Sequence, residues 1–322
     1  MLNFIWVIEM EKKVYLRGKI GQYWYNFTEL LVYALTVRPC PENLEYKITS
    51  YDKGKLNKIY TYCRKDLKKE KKPLFIYIHG GGWVSGITPM RNRYISGWAQ
   101  KGFYTASISY TWAPDKVFPA QLYEIFNALD RILDTAEENN FDPENVVIAG
   151  ESAGGYYIDY VASVLNDKSI LQGLGINFRH FDDIKIKALV SICGCYDLQK
   201  LTDERKEQSQ FPDMKMMVTT YLGKNLEETR KYLKTDDAKY CSPKITEKFP
   251  PTFAVWATND KLRYETFELC ADLDKLGVPN KQYKADGIIG NHAWAIMPIF
   301  KKSRACFEEA YDFVMNYLQV KI

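Results

Sequence analysis

The 322-residue sequence lacks three features that would each indicate a particular class of protein. It has little excess charge of one sign, because 44 lysines and arginines stand against 40 aspartates and glutamates, for a net charge of +4. The single dense basic run, residues 68–72, is typical of a solvated turn, so we expect no nucleic-acid partner. No stretch approaches the ~20 apolar residues that cross a bilayer, so we expect no stable membrane insertion.

Cysteine is scarce, odd in number and without the paired spacing of a zinc site. The seven residues are Cys40, Cys63, Cys193, Cys195, Cys241, Cys270 and Cys306. Scattered thiols favour the reduced state over a disulfide framework. The start of the sequence, MLNFIWVIEMEKK, has only a short apolar run and no cleavage site of small residues, so no signal peptide is predicted. We therefore expect a cytoplasmic protein without metal or cofactor.

Short apolar runs alternate with segments of helical period, which is typical of an α/β protein with a mainly parallel sheet covered on both faces. The predicted helices include Ala120 to Asn139 and Ser303 to Leu318. Eight strands are predicted: Leu44 to Tyr51, Lys58 to Tyr62, Leu74 to Ile78, Tyr104 to Ser109, Asn145 to Ala149, Ala188 to Cys193, Thr252 to Trp256 and Lys281 to Lys284.

Two segments fall outside this alternation. Residues 1–42 are rich in aromatic side chains, and residues 197–243 are charged and helical in period. Packed together, they would form a helical cap over the carboxyl ends of the strands, where open α/β sheets bind ligands. We therefore divide the chain into cap helices (1–42), core (43–196), cap insertion (197–243) and core (244–322).

The sharpest motif is GESAGG at residues 150–155, between a predicted strand and a predicted helix. This is the context of a nucleophile elbow, in which Ser152 stands on a strained turn. Gly150 and Gly154 leave room for that turn, since side chains two residues either way would collide with it. The alternative is a serine that merely caps a helix in a glycine-rich turn.

A second motif, HGGGW at residues 79–83, follows the strand Leu74 to Ile78. Successive glycines such as Gly80 leave backbone N–H groups free to converge on an anion, as an oxyanion hole requires. Taken alone, the three glycines are more often a flexible turn. We expect His79 to hold the shape of this loop through a hydrogen bond to the backbone.

A serine nucleophile needs a base, and imidazole suits that task. Of three histidines, His79 belongs to the glycine loop and His180 is most simply an exposed surface residue. His292 lies after the last predicted strand, late in the chain as the order serine, acid, histidine requires. It is the predicted base.

The acid should follow a core strand between the serine and the histidine. Asp260 does so, and could fix the tautomer of His292 and stabilise its imidazolium. Asp260 could instead only cap the helix that follows. Asp197 is the competing acid, and Asp286 is a weaker one because it lies in the loop of the histidine itself.

Together these motifs resemble the α/β-hydrolases of the hormone-sensitive-lipase-like carboxylesterase family. The resemblance covers about residues 74–300, with the blocks in the order of the family. Its blocks are residues 79–83, 110–115 (YTWAPD) with 118–120 (FPA), 150–155, 260–263 (DKLR) and His292. It departs at Thr111, where the family often has an arginine that ties the active-site loops together.

The resemblance implies an α/β-hydrolase fold with a mainly parallel eight-stranded sheet and a helical cap. It implies a serine carboxylesterase acting on small acyl esters through Ser152, Asp260 and His292, without metal or organic cofactor. The backbone N–H groups of Gly81, Gly82 and Ala153 would bind the oxyanion. Dimers are common in such proteins, so a homodimer is compatible with the resemblance.

Three other functions compete with a carboxylesterase of small esters. An amidase, formamidase or peptidase could use the same triad. A binding module on an inactive hydrolase scaffold is disfavoured because every catalytic position is filled. A membrane-surface lipase would use the aromatic N-terminal segment; we expect instead that Trp6, Trp24, Tyr25 and Phe27 pack on the cap and line an acyl pocket.

Overall fold

A computed structural model describes residues 2–36, 39–202 and 213–319, without the side chains of residues 2–11 and 32–36. One sheet joins its strands in the order β1-β2-β4-β3-β5-β6-β7-β8. β2 is antiparallel to its neighbours and the other pairs are parallel. The strands are β1 (Leu44–Ser50), β2 (Lys58–Arg64), β3 (Lys72–Ile78), β4 (Tyr104–Ser109), β5 (Phe141–Glu151), β6 (Ile186–Ile192), β7 (Thr252–Ala257) and β8 (Asn280–Ala285).

The predicted sheet is confirmed. Every residue of β3 and β4 is buried, as expected for strands covered on both faces. β5 begins four residues earlier than predicted, because Phe141 and Asp142 pair with Lys72 and Pro73 before a register shift. The apolar pattern does not show this extension, since Pro143 interrupts it and contributes no N–H to the ladder.

Helices cover both faces of the sheet. They are α1 (Leu2–Thr36), α2 (Asn92–Gln100), α3 (Ala120–Leu133), α4 (Ala136–Asn139), α5 (Ala153–Asn166), α6 (Ser169–Leu174), α7 (Leu198–Thr202), α8 (Met214–Leu222), α9 (Leu226–Tyr232), α10 (Arg263–Lys275) and α11 (Lys301–Met315). Apolar residues of α3, α5 and α10 pack on one face, and those of α2 and α11 on the other.

The single helix predicted over Ala120 to Asn139 is wrong in one respect. The structure divides it into α3 and α4, because the amide and the hydroxyl of Thr135 both donate to the carbonyl of Ile132 and close a turn. Threonine hydroxyls compete in this way with helical hydrogen bonds.

The N-terminal helix packs on the predicted insertion. α1 contacts α8, and the approach is close enough that a Cβ on Gly18 would lie 2.5 Å from Thr220 and one on Gly21 would lie 2.7 Å from Met216. The side chain of Trp6 and residues 203–212 lie outside the described residues. The division into 1–42, 43–196, 197–243 and 244–322 stays a prediction. Of the helices described, none combines the length and apolar character that crossing a membrane requires.

Candidate active site

Ser152 lies on the tight turn between β5 and α5, with φ 55° and ψ −121°. L-residues rarely adopt this backbone conformation, and it persists only where the surroundings impose it. A Cβ on Gly150 would lie 2.5 Å from the carbonyl oxygen of Gly154, and one on Gly154 would overlap the carbonyl of Ile78. Both glycines are therefore required by backbone packing, as the elbow motif predicts.

The glycine loop lies directly against this elbow. A Cβ on Gly80 would overlap the carbonyl oxygen of Glu151 and come within 3.0 Å of Ser152. Gly81 and Gly82 have φ of 120° and 59°, a region that favours glycine. Within the described residues, the structure records no protein acceptor for the amides of Gly81 and Gly82. Their loop lines the same cavity as Ser152.

His79 is buried beneath the loop. Its Nδ1 donates to the carbonyl oxygen of Gly80 at 2.8 Å, and its ring stacks on Tyr110 at a centroid distance of 4.4 Å. The hydroxyl of Tyr110 donates to the carbonyl oxygen of His79. Burial lowers the pKa of His79 to about 4, so the ring is neutral at physiological pH. These contacts are those expected of a residue that shapes the loop.

Asp260 and His292 meet at the carboxyl end of the sheet. Nδ1 of His292 lies 2.7 Å from a carboxylate oxygen of Asp260, and the other carboxylate oxygen accepts from the amide of Leu262 at 2.9 Å. Asp260 thus pairs with the histidine and also holds the turn before α10. Burial is the largest single influence on the pKa of Asp260 and raises it, but the charge and hydrogen bond of His292, together with hydrogen bonds from Leu262 and Cys193, lower it overall.

The pKa of His292 is shifted in the opposite direction. Burial is the largest single influence and lowers its pKa, but the charge and hydrogen bond of Asp260, together with the charge of Glu151, raise it above the ordinary value. His292 and Ser152 line one cavity. The structure records no direct hydrogen bond between these two side chains, and such bonds are often long before a substrate binds.

The competing residues lie in other environments. Asp197 accepts from the amides of Gln199 and Lys200 and so caps α7, and Asp286 forms an ion pair with Lys302. His180 is half-buried, so the expectation of a simply exposed residue is wrong. Its two ring nitrogens face Asp183 and Asp134 at 2.8 and 3.0 Å. His180 is thus engaged with these two carboxylates and not with Ser152 or Asp260.

A buried ion cluster joins the elbow to α1, and sequence reasoning missed it. Nε of Arg91 donates to Glu151 at 2.7 Å, and another guanidinium nitrogen donates to Glu29 of α1 at 3.1 Å. Tyr77 donates to the other carboxylate oxygen of Glu151. The one available signal was Glu151 itself, because a buried carboxylate next to the nucleophile needs a cationic partner. Arg91 is 8% exposed and Glu151 is 1% exposed.

Two further contacts could not be inferred from a motif. Thr111 stands at the departure from the family pattern, and its amide and hydroxyl both donate to Glu124. The buried thiol of Cys193 is a hydrogen-bonding partner of Asp260 that lowers the pKa of the carboxyl. Ligand atoms of Cys193, Asp260 and His292 lie within 4.8 Å of one another and could hold a metal ion by spacing alone. The absence of a metal stays a prediction.

The cavity beside Ser152 has a volume of about 260 Å³. α1 contributes Tyr25, Thr28 and Glu29 to its lining, as expected for Tyr25. The same expectation is wrong for Trp24 and Phe27, which are 54% and 55% exposed. Apolar side chains form much of the rest of the lining, together with the polar residues Ser85, Arg91, Arg93, Tyr94 and Glu151. The apolar residues are Met90, Met214, Met217, Trp294, Ile296, Met297 and Ile299.

A family model, BD-FAE, matches residues 60–265, which is well over half of the chain. The chain belongs to the BD-FAE family of α/β-hydrolase esterases. This family assignment confirms the predicted α/β-hydrolase fold and the recognition of an esterase group.

Individual proteins agree with the BD-FAE assignment. A protein of Acanthamoeba polyphaga mimivirus named as an alpha/beta hydrolase is 26% identical over 76% of this chain and 67% of its own length. An arylesterase of Saccharolobus solfataricus is 25% identical over 84% of this chain and 82% of its own. Among solved structures, esterase B of Lactobacillus rhamnosis has a TM-score of 0.79 at 20% identity, covering 95% of this chain and 96% of the other.

Proposed function

We propose that this member of the BD-FAE family is a serine carboxylesterase that hydrolyses small acyl esters through an acyl-enzyme. One observation carries the proposal: a serine on a strained strand-to-helix turn shares a cavity with a histidine that is paired to a buried aspartate. That arrangement supplies a nucleophile, a base and an orienting acid.

In the proposed reaction, Nε2 of His292 takes the proton of the Ser152 hydroxyl as its oxygen attacks the ester carbonyl. The carbonyl oxygen becomes an oxyanion facing the amides of Gly81, Gly82 and Ala153. Removing one such donor typically costs about 3 to 4 kcal/mol of barrier stabilisation. Collapse of the intermediate breaks the ester bond, and His292 gives the proton to the leaving alcohol.

Deacylation repeats these steps with water. His292 removes a proton from the water, which attacks the acyl-enzyme carbonyl and releases the carboxylic acid, and the proton returns to Ser152. Throughout both halves of the cycle, Asp260 keeps Nδ1 of His292 protonated and stabilises the imidazolium. The neutral His79 holds the glycine loop and transfers no proton.

The size and lining of the cavity support a small ester substrate. Ligand pockets for drug-sized molecules usually have volumes of about 300–1,000 Å³, and this cavity of about 260 Å³ lies just below that range. Methionines from α8 and from the loop after His292 give it an apolar, adaptable wall. A short acyl chain fits this chemistry.

The test compares the protein with its Ser152→Ala variant on p-nitrophenyl butyrate. We expect the variant to lose at least about a thousandfold of kcat, because the nucleophile is gone, and to unfold at the same temperature. Ser169→Ala, an exposed serine at the start of α6, is the matched control and should retain full activity. Full activity of Ser152→Ala would overturn the assignment.

The same cavity could admit an amide, so the comparison extends to a matched butyryl anilide. We expect the ester to react much faster. Faster turnover of the anilide would assign the protein to the amidases of this fold. A chain-length series of p-nitrophenyl esters then defines the acyl group.

We further propose a cytoplasmic location and small-molecule esters as substrates. The seven cysteines form no disulfide, and six are buried, which suits a reducing compartment. A homodimer is compatible with the proposal, and light scattering of the purified protein measures the oligomeric state.

A further inference from the structure

The end of β6 lies between the nucleophile and the acid of the candidate triad. In the sheet, β6 is the strand between β5, which leads to Ser152, and β7, which leads to Asp260. The amide of Ser152 donates to the carbonyl oxygen of Ile192, the last residue of β6, at 2.9 Å. The amide of the next residue, Cys193, donates to the carbonyl oxygen of Val255 in β7 at 2.8 Å. Backbone hydrogen bonds on both sides therefore fix the segment that carries Cys193.

The backbone of Cys193 has a conformation that L-residues rarely adopt, with φ 50°. Among the described residues, five that are not glycine have a positive φ, and one of them, Asn140, ends α4. The other four belong to the glycine-loop motif, to the elbow or to the segments beside Asp260: Trp83, Ser152, Cys193 and Ala293. Such conformations persist only where the surroundings impose them, and they cluster at active sites. The strain at Cys193 indicates a role in the site and not in strand packing alone.

The thiol of Cys193 is fully buried against the acid–base pair. Its Sγ and the ligand atoms of Asp260 and His292 all lie within 4.8 Å of one another. The thiol is a hydrogen-bonding partner of the Asp260 carboxylate and of the backbone amide of Ala293, the residue after His292. Since a carboxylate only accepts and an amide N–H only donates, the S–H group donates to Asp260 and the sulfur accepts from Ala293. One side chain thus connects the acid to the loop of the histidine.

The thiol of Cys193 keeps its proton. Burial, followed by the charge of Asp260, raises the pKa of this thiol well above its ordinary value. A protonated thiol is a hydrogen-bond donor, whereas the thiolate is the nucleophile and the metal ligand. Cys193 is also not among the residues that line the cavity. Its chemistry therefore suits contact with Asp260 and not attack on a substrate.

We propose that Cys193 is a positioning residue of the triad, whose thiol holds the Asp260 carboxylate and the loop of His292 in place. The amide of Leu262 donates to Asp260 as well, so the carboxylate is fixed from two further directions while it pairs with Nδ1 of His292. The imidazole then keeps one orientation toward Ser152 through both halves of the cycle. This role rests on the proposed function, since it concerns the same reaction. The alternative is a buried cysteine that only fills space as a small apolar residue.

The experiment measures kcat and KM on p-nitrophenyl butyrate. Cys193→Ala removes the hydrogen bond to a charged group, so we expect kcat to fall about tenfold with KM nearly unchanged. Cys193→Ser keeps a donor and an acceptor at this position and should restore kcat to within about threefold of the parent. Cys270→Ala is the matched control, because Cys270 is a fully buried thiol of α10 outside the cluster. It should have the kcat of the parent.

A thermal unfolding curve checks that each variant is folded. If Cys193→Ala does not fold, Cys193→Gly replaces it, since glycine adopts a φ of 50° without strain and also lacks the thiol. A kcat of the thiol-free variant equal to that of the parent would overturn the proposal. So would a Cys193→Ser variant as slow as the thiol-free one, because the sulfur would then act only through its size. A parent protein that does not hydrolyse the ester would contradict the proposed function instead.

Discussion

The two walls of the cavity are built by different kinds of contact. The sheet side, which carries Ser152 and the glycine loop, is held by backbone so close that added Cβ atoms on Gly80 or Gly154 would overlap carbonyl groups. The cap side, formed by α1, is held by side chains, above all the pairing of Glu29 with Arg91. The first wall depends on close backbone contacts and is visible in sequence motifs, while the second depends on partners far apart in the chain.

The largest expected effect tests the sheet side. Asp260→Asn removes the charge that orients and stabilises His292, so we expect kcat on p-nitrophenyl butyrate to fall by about 10⁴, as in other serine hydrolases. Asp197→Asn is the matched control, since Asp197 caps α7 and pairs with Lys200, away from His292. A kcat for Asp260→Asn within tenfold of the parent would contradict the role of Asp260.

The next effect tests the contact between the two walls. Arg91→Met leaves Glu151 and Glu29 buried without a cation, so we expect the free energy of unfolding to fall by about 3–5 kcal/mol. Arg93→Met, two residues away and exposed, should change it by less than about 0.5 kcal/mol. Urea denaturation of both variants measures the difference. A loss below about 1 kcal/mol for Arg91→Met would mean that the cluster does not hold the walls together.

A third prediction concerns a buried carboxyl group on the sheet side, in α5. Asp159 of α5 is fully buried, neither carboxylate oxygen has a hydrogen-bond partner among the described residues, and burial raises its pKa well above the ordinary value. A raised folded pKa means that stability is lost as pH rises above the pKa of the unfolded chain. Asp159→Asn should therefore raise the free energy of unfolding by about 2 kcal/mol at pH 7.

The pH dependence separates this effect from repacking. Near pH 4 the Asp159 carboxyl is protonated in the folded state at little cost, so the gain from Asp159→Asn should shrink there. Urea denaturation at the two pH values gives the comparison. An equal gain at both pH values would show that the charge of Asp159 is not the cause.

The smallest effect is in the pH profile of activity. The neutral imidazole of His292 is the base, and Asp260 raises the pKa of His292 above its ordinary value of 6.5. We therefore expect the acid limb of kcat/KM to have its midpoint above pH 6.5. The charge pair of His292 and Asp260 also contributes to folding stability. This contribution is fully present below the unfolded pKa of His292 and is lost as pH rises through the folded value. A profile flat to about pH 4 would contradict the assignment.

The difference between the two walls of the cavity explains which features could be predicted from the sequence. Gly80, Gly150 and Gly154 are needed because backbone atoms approach closely, and such a need leaves a fixed local pattern. The strands of the sheet are likewise visible as apolar runs, and Asp260 and His292 as the polar residues that follow strands. These predictions depend on local chemistry, and the structure brings the paired residues to one edge of the sheet.

The features that could not be predicted from the sequence depend on side chains far apart in the chain. Arg91 is the last residue of a 3-10 turn that has no motif, and its partners lie 62 and 60 positions away. The exposure of Trp24 and Phe27 was mispredicted because aromatic content alone does not tell which face of a helix packs inward. In the structure, Gly18 and Gly21 pack against α8, so the opposite face of α1, which carries Trp24 and Phe27, is exposed. Thr135 broke a predicted helix through a hydrogen bond that periodicity does not contain.

Labelling with a fluorophosphonate tests the central claim most directly, because the reagent reacts only with a serine that a neighbouring base activates. The protein is treated at neutral pH, digested, and its peptides are analysed by mass spectrometry. We expect a phosphonyl adduct on Ser152 that is strongly reduced in the Asp260→Asn variant. An unmodified Ser152, or an adduct on another serine, would contradict it.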